Sequence, residues 1–225
     1  ATDVTATGAV RAASITQAAG TGTTTFNGAV NTDDPAGIDL TGNAFTINDT
    51  VTTTNDGDVD ITNGGLLTIG PAGDMTLDGY FLQDGAGAVS TAGDITTTTD
   101  DITFNSAVTL TGDVALNNGP VCGNINLLNT VDGNHALTMT ADTGDVTAGD
   151  VVGGIDPLAL FEVVSADTVT LNAVTTQGTA GANAAGNTID IGSDPLNPIP
   201  NILLTGDLNT AGAGADTDTG GINLN

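Results

Sequence analysis

The dipeptide Gly-Asp recurs along the chain, and short apolar–polar alternation follows it each time. The copies are "GDVDIT" from Gly57, "GDMTL" from Gly73, "GDITT" from Gly93, "GDVAL" from Gly112, "GDVTA" from Gly144 and "GDLNT" from Gly206. No other feature restricts the fold as much. Alternation of period two marks a strand with one buried face, and the early corners, 16 to 20 residues apart, leave room only for short strands. On this reading Gly supplies positive φ at the bend and Asp bonds its own neighbouring backbone. Val59, Met75, Ile95, Val114, Val146 and Leu208 then take the inward positions.

Degenerate units of roughly 20 residues, each with two or three short strands, describe a solenoid rather than a sandwich. Larger core side chains would favour a sandwich, but aromatics are 3% of the chain and Trp is absent. Stacked Val, Ile, Leu, Ala and Thr suit a narrow interior with a layer every ~4.8 Å. The predicted fold is all-β, a parallel β-helix of about 8 to 11 coils, in a single domain spanning residues 1–225.

A second repeat supports this. "TTFNGAVNT" from Thr24 returns as "ITFNSAVTL" from Ile102. Phe26 and Phe104 are expected at the same place in two coils, each followed by an inward valine, Val30 or Val108. Three stretches read as loops leaving corners: "GTAGANAAGN" from Gly178, "DPLNPIPN" from Asp194 and "TAGAGADTDTGG" from Thr210. "PLALFEVV", Pro157 to Val164, is the best helical candidate and is too short to stand unaided.

Charge decides what the chain can contact. There are 27 Asp and Glu against one Lys or Arg, for a net charge of −26. Arg11 is that one base and Glu162 the one glutamate. Asp serves turns and caps where Glu serves helix interiors, so the carboxylates belong to corners. Without basic residues nucleic acid and anionic lipid are excluded as partners, and ionic strength should matter to stability. At 39% apolar the chain can bury a core, and its β-branched content sets it apart from disordered acidic tails. No apolar run is long enough for a membrane span. Cys122, the lone cysteine, allows no intrachain disulfide and reads as a small buried apolar residue.

The phrasing "GD-V-T-L", with "ADTGDVTAGDVVGG", "SADTVTLNAVTTQG" and "GNTIDIG", resembles the β-strand-repeat regions of filamentous-haemagglutinin-like giant bacterial surface proteins. The resemblance covers most of the chain. It implies a right-handed β-helix, export to the bacterial cell surface, and a role in adhesion or fibre formation. The Asn-Pro-Asn-Gly type of secretion motif of such proteins does not occur here.

Candidate sites follow from the acids. Calcium is the leading one: "DGDVD" from Asp56 begins like an EF-hand loop, but Leu67 holds the place of the bidentate Glu. Stacked corners can still gather oxygen ligands, with Asp56, Asp58 and Asp60 first, then Asp216 and Asp218. No other cofactor is implied. "NTDD" from Asn31 resembles the Asn-Thr-Asp motif of β-helical polysaccharide hydrolases, yet the acid pair Asp100–Asp101 lies 67 residues on and no Lys exists to hold an acidic sugar. His135, the single histidine, has no second member for a triad or zinc site and is placed at a surface corner. Tyr80 reads as an inward or ledge aromatic. The runs "TVTTT" from Thr50 and "DITTTTDD" from Asp94 raise ice binding, but their spacing is irregular.

The expectation is a non-catalytic structural solenoid of an extracellular fibre or giant adhesin. Its partners are other copies, head to tail or side by side, or flanking repeats of a longer chain. A carbohydrate- or receptor-binding adhesin module is the alternative, with a glycan or cell-surface ligand, and a β-helical glycoside hydrolase the remote one.

Overall fold

A computed structural model of the chain describes residues 2–121, 123–178, 186–210 and 221–225, and among these no helix occurs. Every strand pairing is parallel, and the chain climbs through three walls in turn. The first wall stacks seven strands, from Val4–Ala6 to Val131–Asp132. The second stacks ten, from Val10–Ala12 to Gly221–Leu224. The third stacks nine, from Ile15–Gln17 to Asn201–Leu204. Above the first wall, Val174–Thr175 pairs with Leu208–Asn209, joined to it through bridges at Val152. This is the parallel β-solenoid expected, and ten strands in the tallest wall fall within the expected coil count.

Register is kept by what faces inward. In the third wall Ile38, Val59, Phe81, Ile102, Ile125, Val146 and Val169 lie directly above one another, all buried. A slip of one residue would turn such a column out to water, at ~1.5–3 kcal/mol for each side chain. Phe81 and Phe104 pack in consecutive coils with ring centroids 5.0 Å apart.

Phe26 and Phe104 do not share one position. Phe26 ends the strand Thr23–Phe26 of the first wall, whereas Phe104 ends Ile102–Phe104 of the third. Phe-Asn-small-Ala-Val is thus a corner unit that turns the chain from first wall to second at one level and from third to first at another. The three corners accept the same sequence, so the underlying repeat is the strand and its corner, and the coil is three of them.

The Gly-Asp corners work differently from expectation. None of Gly57, Gly73, Gly93, Gly112, Gly144 or Gly206 has positive φ; that conformation falls to other glycines and to Asn55, Asp56 and Asp142. Proximity to the coil beneath is what excludes a side chain: a Cβ on Gly144 would lie 1.6 Å from the carbonyl oxygen of Gly123. The following Asp does not bond its own neighbours either, because its side chain reaches one coil along the axis. Oδ1 of Asp74 accepts the Asp94 N–H at 2.9 Å, Asp94 that of Ala115 at 2.7 Å and Asp113 that of Ala136 at 2.9 Å. At the next corner Asp58 accepts from Tyr80, and Asp145 from Thr168, both at 3.1 Å. Asp is short enough to bridge one ~4.8 Å layer, so these carboxylates extend the axial ladder around the corners.

Two further departures concern polarity. The Pro157–Val164 stretch forms no helix: Leu160–Ser165 is a strand of the second wall, with Phe161, Val163 and Ser165 inward. Strands on both sides supply the backbone partners that an eight-residue helix would lack. Inside the corner between third and first walls, Asn63 and Gln83 are fully buried. Gln83 donates to Asn63 Oδ1 at 2.7 Å, Asn63 donates to the Gly87 carbonyl at 3.0 Å, and Gln83 Oε1 accepts the Ser106 N–H at 3.0 Å. These amides satisfy backbone groups that the turn removes from the ladder.

Candidate functional site

The walls present three different outer surfaces. On the first, Thr5, Thr25, Thr46, Thr68, Ser90 and Thr109 stand in one register column of hydroxyls. The second carries Arg11 and Asn31 and above them Thr52, Thr76 and Thr96. The Thr runs are irregular along the sequence, yet coiling aligns some of their members. The third wall carries Asp39 directly beneath Asp60, and Leu82 above Asp60.

Electrostatic strain concentrates on that third wall. The Asp60 carboxyl is pushed above the usual carboxylate range, chiefly by partial burial and then by Asp39, Asp84 and Asp58. Asp58 is raised as well, by burial first and by Asp100 and Asp56 after it, with the Tyr80 N–H pulling the other way. The Tyr80 phenol is raised by desolvation and then by Asp58, Asp60 and Asp39. Asp78 is lowered, because it accepts the Asp56 N–H at 3.1 Å and the Thr98 hydroxyl at 2.8 Å.

Three of the five expected calcium ligands lie among the described residues. Asp56 is exposed in a left-handed turn at φ 60°, Asp58 is held on the Tyr80 N–H, and Asp60 lies within the strand Val59–Asn63. Among the described residues no three His, Cys, Asp or Glu side chains are grouped to hold a metal. Asp216, Asp218 and Cys122 lie outside the described residues, as do most of the loops read from Gly178 and Thr210. The Asp194–Pro200 stretch is a loop, with Leu196 92% exposed.

The acids of "NTDD" occupy a turn, where Asp34 accepts the Ala36 N–H at 3.0 Å. Asp100–Asp101 sits at the same corner of the rod three coils on, ~14 Å away along the axis, beyond the separation of a glycosidase pair. His135 is at a corner, its Nδ1 3.7 Å from Asp113 Oδ1.

One concave feature on the third wall escaped the sequence reading. Tyr80, Leu82, Thr99, Asp100, Asp101 and Thr103 line an open groove. Tyr80 is half-buried on the outer face, the ledge position that was one of its two expected places. The signal lay in "DGYFLQD", where the two outward positions beside Phe81 are both apolar. No protein-family model matches the chain, and no curated protein or solved structure is similar to it.

Proposed function

We propose that this chain is a non-catalytic structural element, the solenoid shaft of an extracellular or cell-surface fibre or giant adhesin of the filamentous-haemagglutinin-like kind. The observation that carries the reading is the axial ladder: main-chain bonds run from coil to coil through all three walls, and Asp side chains carry them around the corners. Such a ladder spreads an axial load over many parallel bonds, and the acidic exterior keeps the rod wet. Copies associate end to end or through flanking repeats, and the shaft supports adhesion.

Electron microscopy of the purified chain tests this. Fibres with an axial repeat of about 5 nm, the height of ten layers, are expected if copies stack; short single rods would confine the shaft to service within a longer chain. A globular particle, or release of reducing ends from polysaccharides incubated with the protein, would overturn the structural reading.

A further inference from the structure

We infer that the third-wall groove between Tyr80 and Thr103 binds a positively charged side chain, arginine or lysine, presented by a basic peptide segment of a partner protein. This site goes beyond the shaft reading and does not depend on it.

The floor is the first reason. All five phenylalanines are buried, Phe26 at 8% exposure and the others at 1% or less, so Tyr80 is the single aromatic that reaches the surface. Leu82 stands beside it, and beneath both the Phe81–Phe104 pair makes a rigid base. An aromatic face next to an aliphatic one accepts the flat guanidinium of arginine or the methylene stem of lysine.

The rim is the second. Asp100 and Asp101 line one side of the groove, and Asp58, Asp60 and Asp39 all act on the Tyr80 phenol from below. Burial first, and after it the repulsion of neighbouring carboxylates, lifts the carboxyls of Asp58 and Asp60, and an incoming cation would relieve that repulsion. An anion would add to the repulsion, and a neutral ligand would leave it in place. Acidity alone does not single out this place. Asp33 and Asp34, or the Asp74–Asp94–Asp113 column, are as acidic but have no aromatic floor. Within this chain the only Lys or Arg is Arg11, on a different wall, so the cation comes from another molecule.

Tyr80 is the only tyrosine and Trp is absent, so intrinsic fluorescence reports on the groove alone. The probe is N-acetyl-arginine methylamide in about 0.15 M salt, with the citrulline analogue as its uncharged isostere. A saturable change in Tyr80 emission is expected with arginine and none with citrulline. Asp58→Asn with Asp100→Asn should weaken binding about tenfold, as loss of charge-assisted contacts does, while Asp113→Asn should leave it unchanged. Amide shifts in the unmodified protein, confined to residues 80–82 and 99–103, would support the site without any variant. An equal response to citrulline, no saturable response at all, or equal weakening by Asp113→Asn would overturn it. The last would reduce the effect to the diffuse field of the rod.

Discussion

The lower rod and its upper end use the same walls with very different lengths of chain. In the lower part Val89 pairs with Val108, nineteen residues on, and Leu116 with Met139, twenty-three on. Near the top Phe161 pairs with Ile189, twenty-eight residues on, and Val169 with Ile202, thirty-three on. Among the described residues the stretch 194–200 leaves at a corner, and the inward columns continue on either side of the long intervals. The coil is therefore defined by strand stacking, which each layer requires, and its length is free wherever a corner can open outward. What the two regions share is crowding at corners where one coil passes directly over the next, as at Gly144 and Gly206; what differs is the length of chain between paired strands.

That contrast can be broken most severely at a crowded corner. Gly144→Ala places a methyl against the Gly123 carbonyl and should cost about 3 kcal/mol or more, since backbone on both sides must shift. Gly186→Ala, at φ 84° with no atom of the described residues within 4 Å, should cost only ~1–2 kcal/mol, the penalty of the left-handed conformation. Equal losses in chemical denaturation would mean that crowding by the neighbouring coil is not what sets a closed corner apart from an open one.

Buried amides are the next test. Gln83→Leu removes a donor to Asn63 and the acceptor of the Ser106 N–H. It should destabilise the lower rod by about 1–3 kcal/mol, with hydrogen exchange rising first at residues 63–65, 85–87 and 106. If exchange there stays unchanged, the amides are fillers and do not splice the ladder.

The corner carboxylates sharpen the picture at smaller scale. Asp94→Ala removes the acceptor of the Ala115 N–H and should cost about 1 kcal/mol, while Asp94→Asn keeps an acceptor and should recover much of it. Equal stability of the Ala and Asn variants would make the charge the only thing that mattered. Asp94→Ala also removes one negative charge, so the comparison is best made at high salt.

The smallest effect is a gain. Asp39 and Asp60 face each other in adjacent strands, and like charges so placed destabilise by ~0.5 kcal/mol. Asp60→Asn should therefore stabilise the rod at neutral pH. The sign with pH follows from the raised carboxyls of Asp58 and Asp60. Between the ordinary carboxylate value and these raised ones the folded state holds more protons than the unfolded, so stability falls as pH rises through that window. Asp78, lowered, acts oppositely at the acid end: its contribution is lost as pH drops through its folded value. Melting curves from pH 3 to 7 should show a shallower fall above the ordinary carboxylate value in Asp60→Asn, and an unchanged fall would remove these groups from the account.

Much of the fold was legible because an inward column needs apolar residues at every second position, and Val59-x-Ile61 or Met75-x-Leu77 show that directly. Tyr80 and Leu82 were legible in principle as apolar outward residues. Buried Asn63 and Gln83 were not, since a polar residue at an inward position reads locally as an outward one. Nor were the different settings of Asp56, Asp58 and Asp60, because closeness in sequence hides that one lies in a left-handed turn, one bonds the coil above and one lies in a strand.

By itself the sequence determined strands, corners, inward faces and the sign of the charge, all properties of residues within a few positions of one another. The tertiary structure alone decided which wall each corner serves, why its glycine must lack a side chain and where each aspartate finds its partner. Those answers depend on the neighbouring coil, some twenty residues away, and a quasi-equivalent triangle of corners leaves no local mark of which neighbour that is.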